Sequence, residues 1–195
     1  MLCRQKHLLC VMQLPMLFAL TWLCVKVVIF YTSWIEDTMR AGIMLNLLFL
    51  VILVYVGVKK GAENGKETFH LLKSGMRPAA IYVIMITVAI FSYYKFLDTD
   101  FFDTRLDQVM IETNAGIEQN GGWAEFSKTD GIEKETTQEE FLSNQESSLR
   151  KVFFSPLPQA SYSLLALTLT AIFYSLLMSL FFKFMASRFK ESVPD

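Results

Sequence analysis

The sequence predicts an all-α membrane protein with four transmembrane helices and an acidic, partly helical periplasmic insertion between helices three and four. Three observations carry that expectation. Of 195 residues, 53% are hydrophobic, more than an ordinary soluble domain holds. Four apolar segments reach the length a bilayer crossing needs, about 20 residues. The polar stretch 98–159 has 13 Asp/Glu against 5 Lys/Arg, while 59–77 has 5 Lys/Arg and 2 Glu, so the net charge of −1 is a cancellation between regions.

The expected spans are 14–31, 41–58, 76–97 and 160–184, in a single membrane domain covering 1–195 with an extramembrane insertion at 98–159. Segment one carries Pro15 in its first turn, where the missing N–H is harmless, and Lys26 in its interior. Basic residues precede this run, but no small-residue cleavage site follows it, and Leu9 and Leu23 stand before Cys10 and Cys24 where a lipoprotein signal needs a small residue. The run is therefore expected to remain as a membrane helix. Segment two has Asn46 as its strongly polar member. Segment three is uncharged from Pro78 to Tyr94 and segment four from Ala160 to Phe182.

Basic residues set the expected orientation. With both termini in the cytoplasm, the inner side holds ten Lys/Arg (Arg4, Lys6, Lys59, Lys60, Lys66, Lys73, Arg77, Lys183, Arg188, Lys190) and the outer side six, five of them in the long insertion. Long loops translocate largely regardless of charge, so those five weigh little. In the insertion, Phe102, Leu106, Val109 and Met110 fall on one helical face, with Asp100 placed to cap and Asp103 in the first turn. A second helix starts at the Thr137/Glu140 capping box and stops at Pro156, and the Gly-rich stretch between the two is expected to form a flexible tip.

The stretch "VKKGAENGKETFHLLKSGMRPAAIYVIMITVAIFSYYKFLDTDFFD" shows a basic, Gly-containing loop. It continues with Phe69 and Gly75 leading into the third span, then the aromatic–acidic "YYKFLDTDFFD"; the acidic insertion closes at "FFSPL". With Gly65, these features resemble a family of small bacterial four-helix inner-membrane proteins of unknown function. The resemblance implies a Gram-negative inner-membrane location and supplies no activity.

Lys26 is the first candidate for function. It lies about 8 Å below the outer end of its helix, within reach of a lysine stem, so the side chain is expected to snorkel to the outer headgroups. Two other roles stand beside that one: a polar helix-packing contact, or a ligand or ion site. In the last, Lys26, Asn46, Ser92 and Thr168 line a polar pocket in the outer half of the membrane. Ala171, Ser175 and Ser179 form a small-residue stripe that favours close helix packing, within the chain or with another protomer. Gly57, Gly61 and Gly65 share that spacing but run into the basic loop, and read as helix-end and turn glycines. Trp123 and Phe126, in "GGWAEF", are candidate partner contacts at the tip.

Other chemistry finds little footing. Cys3, His7 and Cys10 align at helical spacing but lack the tight Cys pairs of zinc sites, and the acidic run from Asp98 lacks the Gly and Glu of a calcium loop. No phosphate loop, nucleophile elbow or zinc-protease motif occurs, so neither an enzyme, a metal, a cofactor nor a nucleic-acid partner is expected. The expected partners are the lipid bilayer and either further copies of the chain or another membrane protein. Two functions fit: a structural or accessory protein associating through its helices or periplasmic loop, or an oligomeric channel or transporter subunit using the pocket around Lys26 and Asn46.

Overall fold

A backbone surrounded by apolar side chains finds hydrogen-bond partners only within itself, and helices satisfy that need segment by segment. In a computed structural model, residues 2–32, 38–64, 67–128 and 137–191 are described, with side chains over 13–32, 39–63, 67–128 and 137–185. Their regular elements are all helices: α1 (Leu2–Thr32), α2 (Thr38–Asn64), α3 (Thr68–Phe96), α4 (Phe101–Gln119), α5 (Trp123–Phe126), α6 (Gln138–Val152) and α7 (Pro156–Glu191). Gly65, residues 129–136 of the expected tip, and the side chains of Cys3, His7 and Cys10 lie outside the described set.

Four helices contain stretches long and apolar enough to cross a membrane: Gln13–Thr32, Met39–Glu63, Thr68–Phe96 and Pro156–Met185. They overrun the expected spans because residues just outside those spans, Lys59 and Lys73 among them, are good helix formers that continue the ladder past the apolar run. As expected, α6 ends at Val152, short of Pro156. That proline is the first residue of α7, where its fixed φ suits the helix.

The chain divides into two compact units, Met1–Ile90 with Ser161–Asp195, and Phe91–Ala160. In the first, the deepest apolar residues lie on α2 (Leu50, Leu53, Val54, Val58) and α3 (Leu71, Ala79, Tyr82, Val83, Ile86). Starting α3 at Thr68 puts Pro78 inside the helix, where it offers no N–H to the Ser74 carbonyl. That carbonyl faces α2: a Cβ added at Gly57 would lie 2.5 Å from Ser74 O and 2.9 Å from Gly75 Cα. At Gly61 an added Cβ would lie 2.7 Å from Ser74 Cβ, and at Gly75 it would lie 2.7 Å from Val58 Cγ2 and 3.3 Å from Ser175 Oγ.

Gly57 and Gly61 are therefore buried α2 residues at a helix crossing, not turn glycines. The stripe Ala171, Ser175 and Ser179 is the buried face of α7, and at Ser175 its neighbour is α3 of the same chain. Ser179 donates to the Ser175 carbonyl at 2.6 Å, while the buried Ser175 hydroxyl has no hydrogen-bond partner.

The second unit is a helical hairpin. Phe102, Leu106 and Ile117 are buried along α4, and the Tyr94 ring packs at a tilt against those of Phe101 and Phe102. Asp100 occupies the N-cap position of α4 in a helical conformation, so its carboxylate makes no cap bond. Thr137 does cap α6, accepting from Glu140 N at 3.2 Å. α4 ends in a Schellman motif: Gly121 takes φ +94°, its N–H bonds Glu118 O, and Gly122 N–H bonds Ile117 O. Arg150 pairs with Asp103 and Gln138 with Asn114, so eleven residues forward on α4 match twelve backward on α6, the register of antiparallel helices. The Asp103 hydrogen bond and charge hold the Arg150 guanidinium above its usual pKa.

Two outcomes follow for stability in detergent. Gly57→Ala should destabilise by about 1–3 kcal/mol and Gly61→Ala by less, because backbone blocks the first Cβ and a rotatable serine the second; Gly116→Ala, with open space around it, should gain about 0.5–1 kcal/mol. Equal losses at positions 57 and 61 in thermal unfolding would contradict this packing. In the hairpin, Phe141→Ala should speed limited proteolysis between α4 and α6 severalfold. Arg150→Ala should barely change it, since exposed ion pairs contribute about 0.2–1 kcal/mol.

Candidate functional site

The candidate site begins with two residues one turn apart on α1, Trp22 and Lys26, which helical periodicity places on the same face. Both are buried; Lys26 is 1% exposed. The indole of Trp22 donates to the Gly42 carbonyl of α2 at 3.1 Å, and the Lys26 ammonium lies 5.9 Å from the centre of that ring. A Cβ added at Gly42 would meet Lys26 Cδ and Trp22 Cζ2 at 3.5 Å each.

The lysine stem rests against α2 and is buried among protein atoms, not laid along an exposed face. A glycine at position 42 leaves a shallow trough on α2 in which the methylene chain and the indole pack close to the backbone.

One turn further along α2, Asn46 Oδ1 accepts a 2.8 Å hydrogen bond from the Tyr82 hydroxyl of α3. Below that bond Phe49 meets the Tyr82 ring edge-on at 6.3 Å and stacks on Phe18 of α1 at 4.4 Å. α1, α2 and α3 are thus joined by a polar contact flanked by aromatic ones. The arrangement can hold helices in register, with the Lys26 ammonium close to an indole face.

The four expected pocket residues fare differently. Lys26 and Asn46 both lie on the α1–α2–α3 side of the first unit. Thr168 turns its hydroxyl to the Leu164 carbonyl of its own helix at 2.6 Å, and Ser92 is a half-buried residue of the second unit. Three members were missed: Trp22, Gly42 and Tyr82. Trp22 carried a readable signal, since it stands four residues before Lys26. Gly42 and Tyr82 carried none, because their roles depend on which helix lies opposite.

At the hairpin, Trp123 and Phe126 are half-buried, with ring centres 5.4 and 5.7 Å from that of Phe141 on α6. These rings, expected at an exposed tip, build the closed end of the hairpin instead. Among the described residues no cluster of His, Cys, Asp or Glu is arranged to hold a metal ion.

A family model described as "Protein of unknown function (DUF4199)" matches residues 16–189. The chain belongs to the DUF4199 family. The match runs from within α1 almost to the end of α7 and so takes in most of the first compact unit and all of the hairpin that forms the second. No curated protein and no solved structure matches the chain.

The Asn46–Tyr82 bond is open to a double-mutant cycle. Tyr82→Phe, Asn46→Leu and the double variant, compared by thermal or chemical unfolding in detergent, should give a coupling of about 0.6 kcal/mol, the average for polar contacts between membrane helices. A coupling of zero would show that the two groups do not meet in the folded protein.

Proposed function

We propose that this DUF4199 protein is a structural or accessory component of a bacterial inner membrane, with both termini in the cytoplasm and the α4–α6 hairpin in the periplasm. The observation that carries the reading is the use of the polar groups within the helices. Trp22 and Lys26 seat α1 on Gly42, Asn46 binds Tyr82, and Thr168 and Ser179 bond their own helix backbone. Such groups support helix association and do not line a path. An intramembrane carboxylate, the usual element of a proton- or cation-coupled carrier, is also missing from the sequence of the four spans' apolar cores.

The orientation rests on the excess of Lys/Arg at one end of the helices. The hairpin is the element best suited to meet a partner: a separate compact unit, acidic along its outside, with Ile111 70% exposed on α4.

Topology and role are tested together. In a background with Cys3, Cys10 and Cys24 replaced by serine, Ile111→Cys should react with a membrane-impermeant maleimide in intact spheroplasts, and Lys73→Cys only after lysis. The reverse pattern would invert the proposed orientation. In reconstituted vesicles, neither the native protein nor Lys26→Leu should conduct ions or carry small solutes; flux that the substitution abolishes would replace this reading with that of an oligomeric channel or transporter subunit.

A further inference from the structure

On α3 the residues His70, Lys73, Arg77, Ala80, Ile84 and Val88 recur at three- and four-residue steps, which makes them one stripe of the helix. All six are exposed, Ile84 and Val88 at 63% and 61%, opposite the face that carries Gly75, Ala79, Tyr82 and Ile86. The stripe changes character once: it is apolar from Ala80 onwards and basic or polar before it. From Arg77 to the end of α3 at Phe96 is about 29 Å at 1.5 Å per residue, close to the ~30 Å of a bilayer's hydrocarbon core. Arg77 therefore stands at the boundary of the hydrocarbon, with Lys73 one turn beyond it.

These two cations have no partner among the described residues. Arg150 meets Asp103, Lys128 meets Glu125, and Lys95 lies over the rings of Phe91 and Phe96, but neither Lys73 nor Arg77 makes an ion pair or side-chain hydrogen bond. Side chains four apart on a helix are neighbours, about 5–6 Å between Cβ atoms, so one phosphate can be reached by both. Among the described residues, the other exposed basic ones at this end are Lys59 on α2, with the exposed Glu63 one turn on, and Lys183 on α7.

We propose that Lys73 and Arg77 form a docking site for the phosphate of an anionic phospholipid, whose acyl chains lie along Ala80, Ile84 and Val88. The proposal rests on the membrane-spanning reading above and adds the ligand class. Charge complementarity selects the headgroup, and the contiguous apolar half of the stripe selects a lipid over a free anion. His70, one turn before Lys73, adds an N–H donor on the same face. Arg77 supplies a planar fork suited to two phosphate oxygens, and Lys73 a compact charge beside it.

The test uses the full-length protein in neutral detergent, titrated with phosphatidylglycerol or phosphatidylcholine and read by native mass spectrometry. Phosphatidylglycerol should bind more tightly, and the double substitution Lys73→Gln/Arg77→Gln should weaken it about 30-fold, a factor of about five for each surface charge. Lys59→Gln should weaken it by no more than about fivefold, and excess inorganic phosphate should not displace the lipid. Unchanged phosphatidylglycerol affinity in the double variant overturns the site, as does full displacement by inorganic phosphate. Both substitutions are at exposed positions, and an unchanged unfolding midpoint in lipid-free detergent verifies that the fold survives. Alkaline carbonate extraction of cell membranes separates the two levels: release of the native protein overturns the membrane reading itself, whereas retention combined with unchanged lipid affinity overturns only the site.

Discussion

The arrangement of the first unit depends on one close approach, that of α2 to α3 at Gly57 and Gly75. Pro78 removes the N–H that would hold the Ser74 carbonyl within its own helix. A backbone carbonyl left without its helical partner at a tight crossing is costly, so the surface opposite it must either supply a donor or come close enough to shield it. Gly57 does the latter, with an α-carbon whose C–H groups can reach the oxygen and no side chain to hold it away. Gly61 extends the approach by another turn, and Ser175 brings α7 to the same face of Gly75 that meets Val58.

Helix crossings of this kind explain how so few polar residues suffice between the spans. In lipid, apolar side chains gain little by leaving one apolar neighbour for another, so association relies on close backbone packing and a small number of interhelical hydrogen bonds. The α2–α3 pair has both, the glycine crossing at one level and the Asn46–Tyr82 bond more than two turns away. α1 is attached by a different device, the Trp22 indole and Lys26 stem lying in the trough at Gly42. The buried Ser175 hydroxyl is the exception: it lies close to Gly75 in this packing with no hydrogen-bond partner.

The hairpin follows the rules of a water-soluble domain. Its helices end in recognisable signals, the Thr137 cap and the Gly121–Gly122 Schellman turn, and its interior is aromatic and aliphatic on one face only. Cross-helix polar pairs hold the register at both ends, while the rings of Trp123, Phe126 and Phe141 close the far end. These differences from the first unit accord with the periplasmic placement proposed above for the hairpin: water supplies a hydrophobic drive that a bilayer does not, so a narrow apolar stripe is enough for α4 and α6, whereas α2 and α3 need interlocking backbones.

Sequence alone determined the helical class, the four apolar spans and the place of the acidic insertion. Each follows from local regularities: uncharged runs of sufficient length, a 3.6-residue periodicity, and cap residues at α6. It also singled out Lys26, Asn46, Ser175 and Ser179, because a polar or small residue stands out against an apolar run. Only the tertiary structure decided what these residues meet. Lys26 turns onto Gly42, Asn46 takes Tyr82, and Gly57 and Gly61 become a packing surface, because each role depends on the residue opposite on another helix. Trp123 and Phe126 show the same limit: the spacing that placed them at a tip held no information that Phe141 would return to cover them. Periodicity along one helix fixes which face a residue occupies; the partner of that face is set by packing between distant segments, which no local pattern encodes.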